Sequence, residues 1–216
     1  MLAGLAEHTS TLPGACRRLS GPPMRAARSE GEVLVATERL VASLADCAEF
    51  DRIRDQAWLL AESVRLAEIE GSLSHRAALR CFDLLGLCWA MSERMDRGWR
   101  CMDHADAAGA MECASSAGQR INVLEPLLQG SAGLLERLRG RTQALWHLAD
   151  ALDEAAFLAD CNDHAGARAR AQGLLAQLEV LGERRVLGPD EHDIAESAAA
   201  RWGARPSTAH RGSWAS

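Results

Sequence analysis

Apolar residues recur at helical spacing along almost the whole chain, and this periodicity constrains the fold more than any other feature of the sequence. In one segment Ile53, Ala57, Leu60 and Val64 follow one another at steps of three or four residues, which places their side chains on one face of an α-helix. No segment between residues 29 and 202 shows the sustained alternation of apolar and polar residues that a half-buried strand requires. The sequence therefore predicts an all-α protein.

Capping and chain-breaking residues divide the periodic region. Ser29 and Glu32 form a capping-box pattern at the start of the first helix. Pro and Gly residues without sustained periodicity mark both ends of the chain. We expect a mobile arm over residues 1–28, a single domain of about eight helices over residues 29–202, and a mobile tail over residues 203–216.

Two interruptions fix the expected helix boundaries inside the domain. We expect one helix to end at Met91 and the next to begin near residue 94. Pro126 and Gly130 interrupt the pattern farther on, so two short helices are expected before a regular amphipathic helix that begins at Thr142. The short connections make neighbouring helices antiparallel.

Seven residues on either side of the expected break follow the tetratricopeptide pattern of a helix pair. They are Phe82, Leu85, Gly86 and Trp89 in the first helix and Gly98, Met102 and Ala105 in the second. Gly86 and Gly98 are expected to let the two helices approach closely. The stretch 51–182 therefore resembles the tetratricopeptide-like arrays of bacterial regulators, which implies antiparallel helix pairs stacked as a short solenoid.

A second observation favours a repeat with an interval of 47 residues. The small-residue ending at 66–71 recurs in kind at 113–118, and Gly86 and Gly133 follow at the same interval. A compact helical bundle remains the alternative fold, because Ala- and Leu-rich hairpins produce part of this pattern without a repeat. The tryptophans Trp58, Trp89, Trp99 and Trp146 are expected in the core of either fold.

The tetratricopeptide resemblance implies a non-catalytic module, regulatory or chaperone-like, that binds a protein or peptide in a concave helical groove. Mapped onto this chain, the groove residues are Arg80, Asp83, Leu87 and Ala90. A polar stripe on a later helix, formed by His147, Asp150 and Glu154, is expected to border the groove. Its carboxylates favour a basic partner.

A metal-binding helical bundle that uses Cys, His and carboxylate ligands is the alternative function. Cys101 and His104 form a Cys-x-Asp-His segment, and Cys161 and His164 form another. Residues i and i+3 share a helix face, so two such pairs could hold a tetrahedral zinc ion. The other interpretation is that both segments are similar helix ends of a repeat, with Cys packed as a small apolar residue.

Composition narrows the classes of partner and of cellular location that remain for this chain. All 24 basic residues are Arg and Tyr is absent, which indicates a GC-rich, bacterial genome, and the formal charge of −6 disfavours nucleic acid as a partner. No apolar run is long enough for a membrane span, and seven Cys without a secreted framework predict a cytoplasmic protein. We find no catalytic motif and assign no catalytic residue or cofactor. The partner, the biological process and the oligomeric state stay open.

Overall fold

The structure is a computed structural model. It describes residues 29–46, 49–128, 131–184 and 186–204. The predicted arm and the predicted tail from residue 205 onward lie outside the described residues.

Seven α-helices account for the regular structure of this part of the chain, and it contains no strand, which confirms the all-α prediction. In chain order the helices are α1 (Glu30–Asp46), α2 (Phe50–Ile69), α3 (His75–Asp103), α4 (Ala107–Leu124), α5 (Ala132–Asp160), α6 (His164–Glu183) and α7 (Pro189–Ala200). None of them combines the length and the apolar character that crossing a membrane would demand.

Alternate helices after α1 begin at a constant interval along the chain. The even-numbered helices begin at Phe50, Ala107 and His164, which are equally spaced in sequence. The odd-numbered helices after α1 begin at His75, Ala132 and Pro189, with the same spacing. We call the distance from Phe50 to Ala107 the repeat interval. The chain is therefore a series of similar helix hairpins, in which a long odd helix is followed by a shorter even helix, and the expected interval of 47 residues is wrong.

Burial follows the repeat interval. Ala57, Ala114 and Ala171 occupy equivalent positions in α2, α4 and α6, and all three are buried. Larger buried side chains recur two turns later, at Val64, Ile121 and Leu178. A small residue at a fixed position lets the axes of neighbouring helices approach closely. Each even helix thus packs through the same face.

The helix break expected after Met91 is wrong. The helix α3, 29 residues long, runs without a break from His75 to Asp103. The hydroxyl of Ser92 donates to the carbonyl of Cys88 at 2.8 Å and is buried. A serine whose hydroxyl bonds to the preceding turn of its own helix does not end that helix. Phe82 and Met102, expected on two helices of one tetratricopeptide unit, therefore lie on the same helix.

The turn after α3 lies at residues 104–106 instead. Ala105 has a φ of 61°, which reverses the chain, and the Asp106 carboxylate accepts from the amide of Gly109 at 2.8 Å as the cap of α4. The same turn recurs one repeat interval later, with Asn162 at a φ of 63° and Asp163 capping Gly166 at 2.8 Å. The two Cys-x-Asp-His segments adjoin these turns but do not correspond to each other, because one repeat interval after His104 lies Cys161.

The fifth helix also begins earlier than expected, at Ala132 rather than Thr142. Gly140 lies inside it, where no atom would contact an added Cβ within 4 Å. A glycine inside a helix costs only about 1 kcal/mol relative to alanine, so the surrounding helix tolerates it.

The odd helices form the centre of the molecule. Among the described helices, α1 contacts both α3 and α5, α3 contacts both α5 and α7, and α5 also contacts α7. Each even helix packs between the two odd helices that flank it in sequence and contacts no other described even helix. Successive hairpins thus stack as in a solenoid. Contacts of α1 with α5 and of α3 with α7 close the interior as in a bundle.

Gly98 is a site of close approach between α3 and its neighbours. A Cβ built on Gly98 would lie 2.7 Å from Cδ2 of Leu145 on α5 and 3.2 Å from Cβ of Cys113 on α4. Gly98 is therefore a packing glycine, but the helices that it brings close to α3 are α4 and α5 and not the pair expected on either side of Met91. The same expectation for Gly86 is wrong, because Gly86 is exposed and an added Cβ would meet no atom within 4 Å.

We predict opposite effects of substitutions at these two glycines. Gly98→Val should lower the free energy of unfolding by about 1–3 kcal/mol, because the new methyl groups overlap Leu145 and Cys113. Gly86→Ala should raise it by about 0.4–1 kcal/mol, because it restricts the unfolded chain without a clash. Urea denaturation of both variants beside the wild type measures the difference. Equal effects would contradict the assigned packing.

A buried ion pair joins the middle of α5 to the start of α7. The Arg141 side chain is 5 % exposed and that of Glu191 is 2 % exposed. The guanidinium of Arg141 pairs with the carboxylate of Glu191, donates to the carbonyl of Leu44 at 2.9 Å and lies 5.4 Å above the ring centre of Phe50. The other carboxylate oxygen of Glu191 accepts from the amide of Gly188 at 2.8 Å. One arginine thus contacts the end of α1 and the starts of α2 and α7.

We predict that Arg141→Met lowers the free energy of unfolding by about 3–5 kcal/mol, because it leaves the Glu191 carboxylate buried without its cation. The double variant Arg141→Met with Glu191→Gln should be less destabilised than the single one. Arg137→Met is the matched control, since Arg137 forms an exposed pair with Asp46 at 3.1 Å worth about 0–1 kcal/mol. Chemical denaturation measures all three, and similar losses for Arg141 and Arg137 would contradict this assignment.

Candidate interaction surface

The four groove residues expected on one helix all lie in α3. The Arg80 guanidinium lies 3.4 Å from the Glu38 carboxylate on α1 and donates to the carbonyl of Leu127 at 3.1 Å. Asp83 is exposed, whereas Leu87 and Ala90 are half-buried. This end of α3 therefore borders α1 and the segment between α4 and α5.

The expected polar stripe lies on α5. His147 and Glu154 are exposed and Asp150 is half-buried. The Glu154 carboxylate pairs with Arg170 on α6 at 2.6 Å, and the ring of His147 contacts Trp146 edge-on, with 5.2 Å between ring centres. The Glu154 end of this stripe therefore contacts α6, and its assignment to a groove with the α3 residues stays a prediction.

The two Cys-x-Asp-His segments lie at the ends of α3 and α5, three residues out of register with each other. Cys101 is in the last turn of α3 with His104 just after it, and Cys161 follows α5 with His164 opening α6. Within the described ranges these four residues do not form a cluster of ligand atoms. The structure thus places these four residues at the ends of helices.

Three other residues do bring possible ligand atoms together. His192, Asp193 and Glu196 each offer one atom, and these atoms lie within 4.8 Å of one another. All three belong to α7, and the His192 ring lies 3.9 Å from the Glu196 carboxylate. Neighbouring polar residues on one helix face account for this arrangement without an ion.

Burial controls the chemistry of several cysteines. It raises the pKa of Cys88 to about 12 and also raises the pKa values of Cys81, Cys101 and Cys113. Burial disfavours the thiolate, and the thiolate is the form that attacks electrophiles and binds zinc. These thiols therefore act as packing groups at neutral pH.

A small cleft lies among the ends of α3, α5 and α7. It has a volume of about 200 Å³ and includes Met102, Leu152 and Trp202 in its lining, with Asp106 and Asp153 as acidic groups. This volume is below the usual range of about 300–1,000 Å³ for small-molecule sites. The cleft does not by itself define a ligand.

The outer face of α2 is apolar although it faces solvent. Trp58 is 66 % exposed, Leu66 is 49 % exposed and Ile69 is 70 % exposed, and Leu59 beside them is 52 % exposed. At about 100° per residue these side chains fall within about 100° of one another around the helix. We call these four residues the α2 stripe. An exposed group of large apolar side chains marks an interaction surface.

The α2 stripe continues weakly across the other even helices. Leu66, Val123 and Val180 are separated by successive repeat intervals, and each is about half exposed. The remaining stripe positions are polar or small in α4 and α6, as at Ser115 and Gln172 in place of Trp58. The outer faces of the even helices therefore share one apolar position per repeat, and α2 adds one strong cluster.

Of the α2 stripe, Trp58 was expected in the core. Trp99 is buried as expected, but the assignment is wrong for Trp58 and for Trp89, which is 42 % exposed. The signal was present in the sequence, since α2 carries a second apolar stripe opposite the buried face that includes Ala57 and Val64. Helical spacing alone does not show which of two apolar stripes meets the core.

We predict that alkylation separates the cysteines by burial. Cys161 is exposed and should react with iodoacetamide in the native state, whereas Cys88, which has no exposed surface, should react only after unfolding. Peptide mapping by mass spectrometry after timed alkylation measures each site. Fast native modification of Cys88 would contradict its burial in α3, where its Sγ lies 3.9 Å from the carbonyl oxygen of Leu40 on α1.

Comparison with known proteins adds no family to this description. No protein-family model matches the chain, and neither a curated protein nor a solved structure is significantly similar to it. The interpretation of function therefore depends on the residues and surfaces described above.

Proposed function

We propose that this protein is a non-catalytic protein-binding module, regulatory or chaperone-like, whose partner docks on the α2 stripe. The observation that carries the proposal is the exposure of Trp58, Leu66 and Ile69 on one helix face. Tryptophan is enriched among the residues that dominate binding energy at protein interfaces. Burial of these side chains by a partner would remove apolar surface from water.

The geometry of the stripe favours a helical partner. Trp58 and Ile69 lie near the middle and at the end of α2, a separation of about 16 Å along the helix axis. A partner helix that lies along α2 could contact both ends through apolar residues at i, i+3, i+4 and i+7. The single apolar positions at Val123 and Val180 are available to a partner that extends across the later repeats.

Charges around the stripe favour a partner with basic flanks. Asp55 and Glu70 are exposed near its two ends, and Glu62 lies between them in an ion pair with Arg65 at 3.1 Å. Acidic groups at the rim of an interface attract and orient a basic partner. These acidic groups support a basic partner, as the sequence also suggested. The docking surface that we propose is on α2 and not in the groove expected from the tetratricopeptide resemblance.

The experiment is affinity capture from a cytosolic extract of the source organism with purified variants. Trp58→Asp combined with Ile69→Asp should reduce capture of the specific partner by at least about 30-fold, the effect of losing a dominant interface residue. Phe157→Asp is the matched control, because Phe157 is equally exposed but lies on α5, which does not contact α2. The Phe157→Asp variant should capture as much partner as the wild type does.

A third variant distinguishes the α2 stripe from the groove expected from the tetratricopeptide resemblance. Arg80→Glu combined with Asp83→Arg alters only the α3 residues and should leave capture unchanged. If this variant loses the partner while the Trp58 and Ile69 variant retains it, the α2 proposal is overturned in favour of the groove. Thermal melts of all variants show that each is folded.

A further inference from the structure

The chain that precedes α1 joins the described structure beside one end of the α2 stripe. The Glu30 carboxylate at the start of α1 accepts from the amide of Ser74 at 3.0 Å. Ser74 follows the short turn after Ile69, which is the last residue of α2. A chain that enters at Glu30 therefore reaches the structure close to the Ile69 end of the stripe.

The sequence just before this point has an apolar centre between basic ends. Residues 17–28 read Arg-Arg-Leu-Ser-Gly-Pro-Pro-Met-Arg-Ala-Ala-Arg and include no acidic residue. We call residues 17–28 the basic segment. Its larger apolar residues, Leu19, Pro22, Pro23 and Met24, lie between its two groups of arginines. The basic segment thus has the chemistry of the partner inferred for the α2 stripe, apolar side chains with basic flanks.

The α2 stripe has the complementary arrangement of charge. Its apolar side chains run from Trp58 to Ile69, and the exposed residues Asp55 and Glu70 lie just beyond the two ends. Opposite charges at the rim of an apolar contact orient the two surfaces and fix their register. A segment with one basic group at each end therefore fits the stripe along its whole length.

The spacing of the charges is the same on both sides. Asp55 and Glu70 are about 22 Å apart along the helix axis, at about 1.5 Å per residue. In the extended polyproline II form, Arg18 and Arg25 are also about 22 Å apart, at about 3.1 Å per residue. Only a few residues connect Arg25 to Glu30, so the basic group nearer to α1 matches the nearer carboxylate, that of Glu70.

We propose that the basic segment folds back over the α2 stripe of its own chain and covers it until a partner displaces the segment. Arg25 then lies at Glu70 and Arg18 at Asp55, with the apolar centre on Trp58, Leu66 and Ile69. Adjacent prolines favour the extended polyproline II form, in which such segments dock on exposed aromatic side chains. The inference rests on the proposed function, because it assigns an internal competitor to the same docking surface.

The absence of lysine permits a direct test by chemical cross-linking. All 24 basic residues are arginine, so Arg18→Lys or Arg25→Lys introduces a single lysine amine. Carbodiimide joins an amine to a carboxylate without a spacer and therefore records direct contacts. In dilute full-chain protein the Arg25→Lys variant should couple mainly to Glu70, and the Arg18→Lys variant mainly to Asp55. Mass spectrometry of a mixture of isotope-labelled and unlabelled protein separates coupling within a chain from coupling between chains.

Two control variants locate the contact. Arg205→Lys places the same amine after Gly203, which lies against Arg168 of α6, and α6 does not contact α2, so this variant should couple to neither Asp55 nor Glu70. Trp58→Ala combined with Ile69→Ala should reduce the coupling of the Arg18→Lys amine to Asp55 by at least about tenfold, because it removes the apolar part of the contact. Thermal melts check that each variant is folded.

Three results would overturn the proposal. They are coupling of the Arg18→Lys and Arg25→Lys amines to Asp55 and Glu70 at no higher yield than that of the Arg205→Lys amine, coupling only between chains, and unchanged coupling after the two alanine substitutions in a folded protein. The expected result is coupling within one chain that the alanine substitutions abolish.

Partner capture separates this inference from the proposed function. Arg18→Glu combined with Arg25→Glu should raise partner capture by at least about threefold, because a surface that is open for only a fraction of the time binds with an affinity reduced by that fraction. Equal capture by this variant and the wild type would contradict the competition. Coupling within the chain without capture by either protein would contradict only the proposed function. Capture that depends on Trp58, without coupling within the chain, would overturn only the inference about the basic segment.

Discussion

The Arg141 guanidinium is the interaction on which the arrangement of the hairpins depends. A charge of this kind is expensive to remove from water unless partners surround it. Glu191 and the carbonyl of Leu44 supply partners from α7 and α1, and the ring of Phe50 covers the guanidinium from α2. Four helices must therefore be in place for the arginine to be buried. A helix as short as α7 is marginal by itself, so this contact also explains why it is held in the fold.

Around this centre, the same hairpin is built repeatedly. The small residues at Ala57, Ala114 and Ala171 and the glycine at Gly98 allow close approach between helices. The turns at Ala105 and Asn162 reverse the chain in the same way and are followed by the same aspartate cap. The odd helices fill the interior, and the outer faces of the even helices are turned to solvent. The apolar stripe on α2 lies on one of these outer faces.

Much of this fold could be predicted from periodicity. The all-α class and the start of α1 at its serine cap follow from local rules that operate within a few turns of helix. The break expected after Met91 was wrong because a buried serine can bond to its own helix, which only the packed structure shows. Gly86 and Gly98 look alike in sequence, and they differ only because Leu145 and Cys113 pack against one of them.

The candidate site was harder to predict than the fold. The repeat interval is visible in Asp46, Asp103 and Asp160, which are equally spaced and end three odd helices, but a search at 47 residues conceals it. Trp58 belongs to a helix with two apolar stripes, and burial against α3 decides which of them faces the core. Surface partners such as Arg170 for Glu154 depend on contacts between helices, which local sequence does not encode.

Hydrogen–deuterium exchange read by mass spectrometry tests the central claim, a series of long and short helices that recur at the interval from Phe50 to Ala107. We expect continuous protection of the α3 amides from residue 86 to residue 100, with fast exchange at the equivalent helix starts, residues 107–108 and 164–165, whose amides have no carbonyl of their own helix to bond. A fast-exchanging break at residues 92–94, with protection through residues 107–108, would contradict the repeat and restore the helix pair expected from the sequence.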